Sequence, residues 1–405
     1  MADNSSHAQG DPFLPLGRSA GTCYNHPMRL PTLGTTSTEG PSADDWRWQA
    51  RHAATTLAQL EARLTLTESE REGIRRTEVQ GLPLSITPYY LGLCDPHDAA
   101  CPIRLQCVPR AEEGVSVPGD LDDPLGEEDN EVAPHLVCRY PDRALLIATD
   151  RCALYCRYCT RSRLVGQGGG ARSLRELEPA FQWLREHPEI RDVIVSGGDP
   201  LIASDNRIVS ILRALAEIES VDHVRLATRA PVTLPQRIDE SLARQLHEAH
   251  PALWIMTHFN HPKELTPEAS RACATLVDHG LPVMNQSVLL RGVNDSRDTL
   301  VRLFRGLVKR RVRPYYLLQC DPVRGTGHLR TPLKRGLELM GQIQGHLSGI
   351  AVPKFIVDTP GGRGKVHLTP EAIVESAAGA TTLRTFRDEL VVYQDPPDTE
   401  SRKSE

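Results

Sequence analysis

Three cysteines carry the most chemical information in the sequence. Cys152, Cys156 and Cys159 lie in the run Cys-Ala-Leu-Tyr-Cys-Arg-Tyr-Cys. This C-x3-C-x2-C spacing lets three thiolates converge on one side of a short loop. Structural zinc usually takes four ligands, most often as two pairs, and no fourth Cys or His follows at a natural spacing. A cubane iron–sulfur cluster held by three thiolates keeps one iron open, which suits chemistry at that iron more than plain electron transfer. Three unrelated core thiols are the ordinary alternative, and the tight spacing weighs against it. The chain has ten cysteines; Cys94, Cys101 and Cys107 show no ligand spacing and read as small buried hydrophobes.

Lys365 is the second candidate, at the end of Asp358-Thr-Pro-Gly-Gly-Arg-Gly-Lys. This is no phosphate-cradling P-loop, because Thr359 replaces the first glycine and Val366 the required Ser or Thr. A lysine on a glycine-rich turn instead suits Schiff-base chemistry, which needs an amine free to swing beside closely approachable backbone. A hairpin turn with a solvated lysine is the plain alternative. A third candidate is Ser196-Gly197-Gly198-Asp199, whose glycines allow backbone to approach a ligand, although a Gly-Gly turn after a strand is common.

These residues need a scaffold. Apolar, β-rich runs at 144–149, 192–196, 223–228, 253–257, 283–288 and 313–318 alternate with helical patterns at 174–186, 206–219, 239–249, 267–279, 297–309 and 334–347. Strands alternating with helices argue for parallel pairing and right-handed crossovers, hence an α/β fold: a partial (β/α)6 barrel with its chemistry at the C-terminal strand ends. Residues 141–350 hold this barrel. Before it, 45–140 reads as a mostly helical extension, with 65–72 as a capped helix start and the acidic stretch 120–131 as surface. After it, 351–394 forms a short C-terminal segment with two short strands around the glycine turn. Residues 1–44 and 395–405 read as disordered tails.

Composition excludes several classes. Of 405 residues, 40% are hydrophobic and 5% aromatic, an ordinary globular mixture. With 47 Lys and Arg against 52 Asp and Glu, the net charge of −5 offers no general pull toward nucleic acid or anionic membrane. No apolar run reaches about 18 residues, so no membrane span is expected. The first residues lack a signal peptide's basic and apolar regions, so a cytoplasmic location is expected.

The cysteine motif after a first barrel strand is the signature of the radical S-adenosylmethionine (SAM) superfamily. Taken with PGGRGK, it resembles the lysine 2,3-aminomutase family. GEEDNEVAPHLVCRYPDR (126–143), CRYCTRSR (156–163), TRAPVTLPQRI (228–238), THFNHPKELT (257–266), NQSVLLRGVND (285–295) and QCDPVRGTGHLRTP (319–332) carry the same resemblance, which runs from about Leu82 to about Leu368.

The resemblance implies three cofactors: a [4Fe-4S] cluster on Cys152, Cys156 and Cys159, SAM on its open iron, and pyridoxal 5′-phosphate (PLP) on Lys365. Arg139 and Arg143 match the segment that approaches the PLP phosphate, with Tyr140 lining the same pocket. Ser196, Gly197 and Gly198 would receive the methionine moiety, and Gln286, at the end of the fifth strand, would lie near SAM. Tyr158 would lie near adenine. Arg161 would pair with the substrate α-carboxylate, and Asp321 and Asp358 with the distal ammonium of lysine. A cation in a closed pocket needs such anions.

The implied reaction moves the α-amino group of L-lysine to the β-carbon by a radical route, giving β-lysine. Arginine remains an alternative substrate, since a guanidinium also accepts carboxylates. A radical SAM enzyme modifying lysine on a partner protein, and a non-catalytic iron–sulfur or zinc protein, are the other classes. A flavodoxin or ferredoxin would supply the electron. Family members join subunits through zinc held by cysteines; here Ser296 follows Asp295 and no cysteine lies beyond Cys320, so no zinc site is expected and the homo-oligomer is left open.

Overall fold

The computed structural model describes residues 43–79, 82–377 and 380–394. The expected disordered tails fall almost wholly outside these residues.

One ten-stranded sheet organises the chain, with every strand beside its sequence neighbour. It runs β1 (Glu131–Ala133), β2 (Leu136–Tyr140), β3 (Arg143–Thr149), β4 (Asp192–Gly197), β5 (His223–Ala227), β6 (Leu253–Thr257), β7 (Val283–Leu289), β8 (Arg313–Gln319), β9 (Lys354–Asp358) and β10 (Lys365–Leu368). Strands β3 to β9 are parallel throughout. The (β/α)6 expectation therefore holds, with β9 added as a further parallel strand. The sheet also runs past both expected segment limits. The hairpin β1–β2 joins it antiparallel at one edge, and β10 at the other.

The crossover helices are Leu174–Glu186, Asp205–Ala216, Glu240–Ala249, Pro267–Asp278, Arg297–Lys309 and Leu333–Ile343. Their starts are specified locally. Ser173 and Glu176 form a reciprocal capping box, and Thr266 and Ser296 accept from Ala269 and Thr299. Each buries one stripe; in the first it is Leu177, Ala180, Phe181 and Leu184, the spacing of one helical face.

The N-terminal pattern breaks into Trp46–Arg51, Leu57–Glu61 and Glu68–Val79 rather than running on. Thr56 with Gln59 and Thr67 with Glu70 restart it, because each threonine side chain captures a backbone N–H that helix continuation would otherwise use. Glu70 and Arg104, both fully buried, lock this extension together at 2.7 Å. Cys94, Cys101 and Cys107 lie in its core.

Residues beyond β10 form a separate antiparallel sheet of Ile373–Ala377, Ala380–Arg384 and Leu390–Gln394. No helix among the described residues is long and apolar enough to cross a membrane.

Edges β1 and β10 do not pair, so the barrel is open. A strap crosses the gap where the Gly361 N–H donates to the Pro124 carbonyl (2.9 Å), and β10 reaches β2 directly where the Lys365 N–H donates to the Tyr140 hydroxyl (3.0 Å). The acidic stretch 120–131 is this strap. The surface expectation holds for Leu121, Asp122, Glu128, Asp129 and Glu131, which are exposed, and fails at 124–127, which is buried. Glu127 is 3% exposed, because its carboxylate and those of Asp120 and Asp123 face Arg161, Arg330 and Arg163.

Candidate active site

The cysteine trio lies on the loop leaving β3, at the C-terminal end of the first parallel strand. The loop is fixed by its neighbours. Gly198 N–H donates to the Thr149 carbonyl (2.7 Å) and Asp199 N–H to the Arg151 carbonyl (2.8 Å). This explains the Gly-Gly pair. A Cβ on Gly197 would sit 2.2 Å from the Thr149 oxygen, and one on Gly198 would sit 2.3 Å from the Arg151 oxygen. The close approach is thus to the cysteine loop's own backbone. Arg157, buried, clamps the loop to the extension through the Leu82 and Pro83 carbonyls and the Glu113 carboxylate (Nε–Oε1 2.9 Å).

Burial pushes the Cys159 thiol up to about 12, Cys156 adding to it, and Cys152 well above its ordinary value. Such thiols stay protonated until a strong cation replaces the proton. Among the described residues no three His, Cys, Asp or Glu side chains are gathered as a single ion requires. Cubane thiolates instead sit at separate corners of a larger body.

Arg161 follows the trio. Its Nε donates to both Glu127 oxygens (2.9 and 3.0 Å), its Nη2 lies 2.7 Å from Oε1, and its Nη1 reaches the Ser196 hydroxyl at 3.4 Å. One edge of the guanidinium is therefore clamped by Glu127, while Nη1 makes only the long contact to Ser196. Burial alone would raise Glu127, but Arg161, Arg163 and Arg139 hold it below the usual carboxylate range.

The other half of the site is the seam of the barrel. Asp358, at the end of β9, accepts from Arg139 on β2 (2.7 Å) and from the Lys365 ammonium on β10. Arg139 and Arg143 lie against the Tyr140 ring, at 5.7 and 4.6 Å from its centroid. Arg139 keeps its Nε without a partner. Asp358 is thus met by two of the chain's own cations rather than standing free.

Asp321, after β8, joins the halves. Burial pushes its carboxyl up to about 6; Asp358 adds to the shift, while Thr160, Lys365 and Arg139 oppose it. Asp358 and Lys365 are in direct contact, and both act electrostatically on Asp321. A cavity of about 500 Å³ opens beside Asp321 and Asp358, lined also by Gln319, Arg330 and Thr331. Gln319 Oε1 and Thr331 Oγ1 have no partner.

Two expectations change. Gln286 stands mid-strand in β7, which continues to Leu289 past a bulge at Asn285 and Gln286. Tyr158 is 7% exposed and bonds His258 (2.9 Å) and Asn260 (2.7 Å) in a buried polar network, so it packs behind the loop.

A radical SAM superfamily model matches residues 146–304, and a model described as lysine-2,3-aminomutase matches residues 340–405. The L-lysine 2,3-aminomutase of Clostridium subterminale is 45% identical over 353 residues, 87% of this chain and 84% of that one. The chain belongs to the lysine 2,3-aminomutase family. The Bacillus subtilis (strain 168) L-lysine 2,3-aminomutase is also 45% identical, over 87% of this chain and 74% of its own. A glutamate 2,3-aminomutase of Clostridioides difficile (strain 630) is 40% identical over 89% and 85%. Among solved structures, a radical SAM methyltransferase from Sphaerobacter thermophilus has 19% identity and a TM-score of 0.42, covering 55% of this chain and 68% of that one, and the assignment rests on the sequence relatives.

This aminomutase-family chain is accordingly a radical SAM isomerase, a class that uses a [4Fe-4S] cluster and SAM. The residues present fit those groups. Three half-buried thiols stand together at a strand end, and unpartnered atoms of Gln319 and Thr331 line the cavity beside Asp321 and Asp358.

Sequence reasoning missed Glu127, Arg229 and Glu264. For Glu127 a signal existed: an acidic run alongside two arginines of Cys-Thr-Arg-Ser-Arg.

Proposed function

We propose that this chain is a PLP-dependent L-lysine 2,3-aminomutase producing β-lysine. The observation that carries the reading is that Asp321 and Asp358 line one cavity and that the Lys365 ammonium is paired with Asp358. A glutamate side chain would meet two carboxylates there, whereas an ammonium would satisfy them.

In this reading Cys152, Cys156 and Cys159 hold the cluster, Ser196, Gly197, Gly198 and Gln286 border SAM, and Lys365 carries PLP with Arg139, Tyr140 and Arg143 around it. When bound, the cofactors supply a radical hydrogen abstraction and an electron sink for nitrogen migration. The chain itself positions and shields. Arg161 offers its Nη1 edge to the substrate carboxylate. Asp321 and Asp358 hold the distal ammonium and so fix which β-hydrogen faces the radical. Lys365, once neutral, frees the Asp358 Oδ2 for the substrate, while Oδ1 stays on Arg139. The strap over the seam keeps water from the reacting centre. The electron comes from a small reduced flavodoxin or ferredoxin.

An anaerobic assay with SAM, PLP and a panel of lysine, arginine, glutamate and alanine tests the reading. Turnover of lysine to β-lysine supports it. Turnover confined to glutamate overturns the role of the two aspartates, and turnover confined to arginine replaces lysine by the other cation.

Two further results are expected. The KM for lysine rises below about pH 6, roughly tenfold per pH unit, as Asp321 gains a proton and loses its pull on the cation. The charged groups facing it are Asp358, Lys365, Arg139 and Arg161. Asp321→Asn flattens this profile and leaves KM high throughout; an Asn variant that keeps the profile refutes the assignment.

Glu127→Gln raises the KM for lysine roughly 10- to 100-fold, the equivalent of about 1.5–3 kcal/mol for a hydrogen bond to a charged group. The change acts through Arg161, so kcat falls less. An unchanged KM would separate Glu127 from substrate binding.

A further inference from the structure

Arg229 follows β5 and is 8% exposed. Its Nη1 donates to the Cys156 sulfur at 2.8 Å. Its Nη2 meets the Glu264 carboxylate (2.7 Å), the Gln106 carbonyl oxygen (2.8 Å) and the Tyr90 hydroxyl (3.1 Å), and its Nε meets the His258 carbonyl (3.2 Å). The backbone is pinned as well, since its N–H donates to the Asp199 carboxylate at 2.8 Å. The guanidinium therefore has no freedom to leave the sulfur. Glu264, fully buried, spends its second oxygen on the Asn260 and His261 N–H groups (2.6 and 2.9 Å). Arg229, Glu264, Gln106, Tyr90 and Asp199 are all buried, and their network ends on one half-buried sulfur of the trio. No substrate role assigned above requires it.

We propose that Arg229 and Glu264 form a positioning pair that sets the potential at which the cluster accepts its electron. The inference rests on the reading that Cys156 is a cluster ligand. An electron added to a cubane spreads negative charge onto its sulfurs, so a cationic N–H donor on a ligating sulfur stabilises the reduced form more than the oxidised one. Glu264 opposes that effect by returning a negative charge to the same dry pocket, where charges are poorly screened. The two residues therefore push the potential in opposite directions. A pair serving only to pin loops would lack this property.

The test uses the full chain, reconstituted anaerobically, with EPR-monitored titration of the [4Fe-4S]2+/1+ couple and iron content measured in each variant. Arg229→Gln is expected to move the couple to more negative potential, Arg229→Lys to move it less far the same way, and Glu264→Gln to move it to more positive potential. Unmoved potentials with parental iron content overturn the proposal, as do shifts of the same sign in Arg229 and Glu264 variants. Should Arg229→Gln fail to fold, Arg229→Lys against Glu264→Gln makes the same comparison. A parent chain that takes up no cluster overturns the assignment of the trio and this inference with it. A loaded parent whose variants titrate identically overturns this inference alone.

Discussion

Lys365→Ala is expected to lower turnover about 10³-fold or more, the equivalent of about 4 kcal/mol of lost transition-state stabilisation. Iron content and reductive cleavage of SAM should survive, because Lys365 touches neither the cysteine loop nor its supports. Its contacts are with Asp358 and Tyr140 at the seam. The imine absorbance expected of PLP held by the parent protein should vanish with the side chain. The fold should be indifferent, since the lysine side chain is one-third exposed and its strand is an edge. Normal turnover in Lys365→Ala, with the imine band intact, would remove the Schiff-base assignment.

Alanine at Cys152, Cys156 or Cys159 is the second large effect. Two thiolates leave two irons of a cubane without protein ligands. Iron content should fall to the level of unreconstituted protein, and SAM cleavage should stop with it. PLP should still bind to Lys365. The loop itself should persist, because Gly198, Asp199 and Arg157 hold it by bonds that involve no cysteine side chain. Iron analysis, SAM cleavage and the imine band separate these consequences in one preparation. A variant that retains both iron and SAM cleavage excludes that cysteine from the ligand set.

The scaffold was legible because its signals are local. Strands buried on both faces read as continuous apolar runs, and helix starts carry their own caps. The runs read at 253–257 and 144–149 reappear as β6 and, one residue longer, β3. The segments before β3 and after β8 were harder. Arg139 and Arg143 stand on adjacent strands of a hairpin whose turn, Pro141-Asp142, is too short to announce two flanking strands by periodicity. Strand β9 lies within a segment read as separate, because its parallel partner β8 lies more than thirty residues back in the chain.

The site was legible residue by residue, but its internal pairing was not. Asp358 and Arg139 were assigned to different ligands, yet the open sheet brings them to 2.7 Å of each other. Glu127 and Glu264 were passed over for one physical reason: a carboxylate in a polar loop looks solvated until the guanidinium that buries it is known. Arg229 sat in a segment already recognised as family-like, but nothing in its neighbours' identities pointed to a sulfur.

Lys365 lies on β10, the last strand of the main sheet to leave the ribosome. Every side chain that supports the sulfur loop, from Tyr90 to Glu264, is translated at least a hundred residues earlier. The order of synthesis thus lets the supports of the sulfur loop emerge before the lysine proposed to hold pyridoxal.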